Sequence, residues 1–242
     1  MPENSKPYFY SLAKNNLQPK QNTMTQNESL QKDVQDAIKW EPLLQAAEIG
    51  VTAKDGIITL TGIVDSYAKK IEAENAAKNV VGVKAVVEKI EIKYMGSPQK
   101  DDREIAAAIV NAYKWNREIP KDTVKVEVED GWVTLDGEIQ WNYQKEAANL
   151  SASKIIGVKG VNNKITIKSE TQDIIEKSDI EGALARNWAT SNRDIQVSVT
   201  GNTVSLKGIV YSLYQKDEAA RIAWNAPGAW VVNNNLVVEN ND

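Results

Sequence analysis

A chain of 242 residues, 42% of them hydrophobic, can hold one large packed domain or several small ones. Its 29 Lys and Arg stand against 33 Asp and Glu, a net charge of −4, so no overall basic field exists to recruit nucleic acid or acidic lipid. With no cysteine and no histidine it has no disulfide, no thiolate nucleophile, and neither of the commonest metal ligands.

The chain starts with "MPENSKPYFYSLAKNNLQPKQNT", which is polar and offers little to bury, so residues 1–29 read as a disordered tail or a misassigned start. Met24 is the more natural beginning of the folded part. No stretch has the apolar length of a signal peptide or a membrane span, and the expectation is a soluble, cytoplasmic protein. A helical stripe follows at Val34 and Ile38, ending at Trp40. Next come two alternating runs, Ile49 with Val51 and Ile58 with Leu60, separated by "KDG", a turn whose glycine accepts positive φ. After Gly62 an Ala-rich segment with Ala73, Ala77 and Val80 at helical spacing predicts a second helix. Gly82 suits its C-terminal cap, and Val86, Ile90 and Ile92 predict a last strand.

The phrase then recurs. "DGIITLTG" returns as "DGWVTLDG" and "GNTVSLKG", and 20 residues after each of Gly62, Gly137 and Gly208 stands a second glycine, Gly82, Gly157 or Gly228. Ile105 and Ile109 with Trp115, then Ile180 and Leu184 with Trp188, repeat the first helix. This is a three-copy array of α-β-β-α-β units over residues 30–94, 101–169 and 174–239, with "KYMGSPQK" and "SETQD" as short linkers. The fold class is α+β: each unit is a small mixed three-stranded sheet covered on one face by two helices, the second helix making a right-handed crossover. Units of this size are near the lower limit of independent stability, so they should pack on one another.

The unit "DGIITLTGIVDSYAKKIEAENAAKNVVGVKAVVEKIEI", with its two glycines and closing strand, resembles a BON domain, the module named from bacterial osmotically inducible and nodulation proteins. The resemblance implies a non-enzymatic binding module that contacts phospholipid or another envelope surface under osmotic stress. It also makes a periplasmic location the alternative, since many such proteins are exported.

Candidate contacts are few. Lys69, Lys70, Lys145 and Lys216 recur at the start of the second helix beside Tyr67, Tyr143 and Tyr214, a lipid-headgroup arrangement, although acidic neighbours also fit a solvated helix face. Trp40, Trp115 and Trp188 read as lids on the small cores, with an interfacial aromatic belt as the alternative. Trp132, Trp141 and Trp230 break the repeat and are the better candidates for contacts between copies or with a partner. Gly62, Gly137 and Gly208 serve backbone geometry, because no phosphate-loop glycine pattern surrounds them. The Asp101–Asp102 pair and "VEVEDG" fit solvated surface, and the Asn162–Asn163 pair a turn device. No catalytic residue, metal site or cofactor site is expected. The partners expected are a phospholipid surface or, alternatively, a protein partner or self-association; a small-ion or solute sensor is a third reading, and nucleic acid is disfavoured.

Overall fold

A computed structural model describes residues 25–44, 49–94, 100–168, 175–191 and 194–239. Most of the two linkers and residues 1–24 of the tail lie outside the described residues.

The first unit runs α1 (Gln26–Trp40), β1 (Ile49–Lys54), β2 (Ile57–Val64), α2 (Tyr67–Lys78) and β3 (Ala85–Ile92). The second runs α3 (Asp102–Trp115), β4 (Val124–Glu129), β5 (Trp132–Ile139), α4 (Asn142–Ser153), β6 (Gly160–Asn163) and β7 (Thr166–Ile167). The third runs α5 (Lys177–Arg186), β8 (Ile195–Thr200), β9 (Thr203–Val210), α6 (Leu213–Trp224) and β10 (Val231–Val238). In every unit the hairpin is antiparallel and the last strand lies parallel beside the hairpin's second strand, which is central.

α1 begins before the expected boundary at residue 30, because Thr25 and Glu28 form a capping box that satisfies the first free N–H groups. Asp101 and Glu104 do the same for α3. Two hairpin turns take positive φ at both central residues, Asp55 with Gly56 and Asp130 with Gly131. In the third unit only Gly201, the first central residue, is positive, so "TGN" makes the same reversal by the other favoured hairpin turn.

Gly137 and Gly208 have φ of 146° and 134°, and a Cβ on either would collide with the carbonyl oxygen of Thr123 or Asp194. This is the close backbone approach expected of them. Gly82, Gly157 and Gly228 are not helix caps. The C-caps are Asn79, Lys154 and Asn225, and each glycine sits three residues later, where positive φ turns the chain into the last strand.

Each unit has its own core. In the first, Val34 and Ile38 of α1 meet Ile58 and Leu60 of β2, Ala73 and Ala77 of α2, and Ile90 of β3. Equivalent clusters centre on Leu135 and Ile165, and on Leu206 and Leu236.

The expected lids are absent: Trp40, Trp115 and Trp188 are 87%, 88% and 78% exposed. Trp40 follows the buried Ile38 by two residues, about 200° around the helix, which places it opposite the core. Trp115 stands in the same relation to Tyr113, which takes the core position. Trp188 lies beyond the end of α5 at Arg186 and stacks on Tyr214 with ring centroids 5.9 Å apart.

The units are joined by partly buried side chains that pack against a neighbour's core. Tyr67, the first residue of α2, packs into the second unit's cluster, and Leu213, the first residue of α6, packs into the first unit's. The N–H of Gly82 donates to the Tyr211 carbonyl at 2.9 Å, and the Tyr94 hydroxyl donates to the Val158 carbonyl at 2.8 Å. Asp217 of α6 feels the charges of Lys78 and Glu74 on α2, and Arg221 of α6 feels Glu146 of α4. All three pairings of units are therefore represented.

Candidate functional site

The recurring lysines are held inside the fold. Lys70 Nζ donates to the Ile90 carbonyl at 2.9 Å, Lys145 to Ile165 at 2.6 Å, and Lys216 to Leu236 at 2.7 Å. The N–H groups of the same three residues, Ile90 in β3, Ile165 between β6 and β7, and Leu236 in β10, are taken by Glu88, Asn163 and Asn234 two residues earlier. The last strand is the outer one in each sheet, so each device occupies backbone groups in the later part of an edge that would otherwise present them unpaired. Asn163 and Asn234 also donate to the carbonyls of Lys145 and Lys216 (3.2 and 2.7 Å), tying strand to helix; in the first unit Glu88 forms an ion pair with Lys70 at 2.6 Å instead.

These internal bonds weigh against the headgroup reading of the lysines. Burial lowers the Lys145 pKa, and one of its three donors is committed to the Ile165 carbonyl, which makes it a poorer phosphate ligand than a fully solvated lysine. Lys69 is paired with Asp65 at 2.8 Å, a hydrogen bond that lowers the Asp65 carboxyl's pKa. Sequence gives the charge of these lysines, but their reach across 20 residues depends on the helix lying over the last strand.

The tyrosines do not form one site. Tyr67 is an inter-unit contact, Tyr143 is 49% exposed, and Tyr214 lies under Trp188. Trp141 is a half-buried N-cap of α4 whose N–H donates to Gln144. Asp102 is structural too: it accepts from the N–H groups of Asp130 and Gly131, both at 2.8 Å, and so ties the hairpin turn to the start of α3.

What remains outward-facing is aromatic and aliphatic. Leu43, three residues after Trp40, is 64% exposed, and on α3 Val110 is 43% exposed. Near Trp115, a cleft of about 360 Å³ runs between α3 and the approach to β4, lined by Val110, Tyr113, Ile119 and Val124 with Lys114 and Lys121. Burial pushes the Tyr113 phenol well above its ordinary pKa, and its hydroxyl donates to the Ala148 carbonyl at 3.0 Å. Among the described residues, no three acidic side chains gather to hold a metal, and no helix is long and apolar enough to cross a membrane.

A family model described as BON domain matches residues 26–94, 101–169 and 174–240. Osmotically-inducible protein Y of Escherichia coli (strain K12) is 29% identical over 134 residues, covering 52% of this chain and 64% of that protein, so the match spans less than two thirds of the relative's length. Two solved structures of CdsD, described as a structural protein of the type III secretion system of Chlamydia trachomatis, are 18% identical. They cover 88% and 86% of this chain and 94% and 96% of theirs, with TM-scores of 0.23 and 0.24.

Proposed function

The chain belongs to the BON domain family, three times over, and we propose that it is a non-catalytic binding protein that docks on a phospholipid surface through its exposed helix-end tryptophans. The observation that carries this reading is the near-complete exposure of Trp40 and Trp115 at equivalent positions, with Leu43 three residues after the first. Indole is the side chain best suited to the boundary between headgroup and acyl chain, having an apolar ring and one N–H donor. The similarity to osmotically-inducible protein Y supports a role under osmotic stress.

The contact is interfacial and only weakly electrostatic. No unit is basic: the recurring lysines are engaged internally, and the chain's charge is −4. Flotation on neutral phosphatidylcholine vesicles and on vesicles containing phosphatidylglycerol tests it. The protein is expected to float with both and to respond little to salt, and Trp40→Ala with Trp115→Ala is expected to leave it at the bottom. Wild-type protein that stays at the bottom with both vesicle types overturns the reading. A mass that then rises with protein concentration favours self-association through the same tryptophans.

A further inference from the structure

Trp132 opens β5 on the sheet face that the helices leave open, and it is 59% exposed. Its register partner on β6 is Gly160, where a Cβ would collide with the indole Cζ3, Cε3 and Cη2 atoms. The ring therefore lies over the glycine. Gly160 is buried beneath it, whereas Ala85 and Val231, at the same register position in the other units, are exposed. One face of the indole is fixed against backbone and the other is turned to solvent.

One pleat along the strands, about 7 Å away, Glu127, Thr134 and Asn162 form a row across β4, β5 and β6. None of these three side chains has a hydrogen-bond or ion-pair partner among the described residues. A held aromatic plane thus adjoins a row of uncommitted acceptors and donors on a flat, accessible surface. Neither of the other units has this pair; the corresponding partners there are Ile57 with Ala85, and Thr203 with Val231.

We propose that this face of the second unit binds a neutral polysaccharide, one pyranose ring stacking on Trp132 while hydroxyls of the adjoining sugar donate to Glu127 and accept from the Asn162 amide. The C–H groups on one face of a pyranose match the negative face of an indole, and a carboxylate is a strong acceptor for hydroxyl groups. The charge of the surface selects against other flat ligands. Glu127, Glu129, Asp136 and Glu138 alternate onto this face with Lys125, and Lys168 ion-pairs with Glu138, so the remaining negative excess disfavours a phosphate-bearing polymer. A quaternary ammonium is held by several aromatic walls, and Trp132 is the sole aromatic residue among the paired positions of this face.

The test is an NMR titration of the full chain with cellohexaose and with chitohexaose, following the Trp132 indole N–H resonance, assigned by its loss in Trp132→Phe. A single stack with two or three hydrogen bonds predicts a Kd of about 1 mM. Trp132→Ala, which lacks that reporter and is followed instead by the backbone amide resonances of Thr134 and Asn162, should weaken binding at least about tenfold. Glu127→Ala with Asn162→Ala should do the same while melting like wild type, since neither side chain supports the fold. Gly160→Ala keeps the indole but forces it off the sheet, and should also lose binding. The proposal fails if neither sugar at about 10 mM, well above the expected Kd, shifts this resonance. It also fails if the Glu127–Asn162 double variant binds like wild type, or if choline shifts the resonance and the sugars do not.

Discussion

At the level of single residues, the glycines separate two demands that a sequence cannot tell apart. Gly137 needs both a positive φ and room for the Thr123 carbonyl, whereas Gly201 has φ of 56° with nothing within 4 Å of an added Cβ. Gly137→Ala is therefore expected to cost about 3 kcal/mol or more, and Gly201→Ala only about 1–2 kcal/mol. Urea melts of the two variants check this, and equal losses would contradict it. Tyr113 supplies a pH dependence. Because burial raises its phenol pKa in the folded state, it favours folding fully below the unfolded value of about 10, and that contribution is lost as pH rises from there through the folded value. The melting temperature of wild type should fall more steeply above about pH 10 than that of Tyr113→Phe; parallel curves would show that Tyr113 keeps no such proton.

At the level of elements, the helix-to-strand lysine occupies an outer-strand carbonyl that a further strand would need for edge-to-edge pairing. Lys216→Met leaves the Leu236 carbonyl without its donor, and should cost about 1–3 kcal/mol. It should also promote self-association through β10, visible by sedimentation velocity; unchanged stability and mass would reduce the lysine to a surface charge. The elements themselves were legible in the sequence, because strand alternation, turn glycines and the Ala stripe are local signals repeated three times. The roles of the lysines were not, because a side chain's partner 20 residues away is a property of packing. The exposure of Trp40 was partly legible: with Val34 and Ile38 fixing the buried stripe, a residue two positions on belongs to the opposite face. The flat seat of Trp132 needed the register that sets it opposite Gly160, which no periodicity supplies.

At the level of the whole molecule, Tyr67 and Leu213 tie the units together, since each is partly buried against a core that is not its own. Wild type should unfold in one calorimetric transition. Leu213→Ala should split off the melting of the third unit, because it removes about 1–2 kcal/mol of partly buried contact with the first; a single transition in the variant would mean that other contacts carry the coupling. The same assembly presents the helix-end tryptophans outward while its recurring lysines are spent on internal bonds, and this division is the central functional claim. The most direct test is quenching of tryptophan fluorescence by vesicles with brominated acyl chains, comparing wild type with the Trp40→Phe, Trp115→Phe double variant. The account predicts strong quenching in wild type that is largely lost in the variant, on neutral and anionic vesicles alike. Quenching that persists undiminished in the variant, or that requires anionic lipid and disappears with salt, would contradict it.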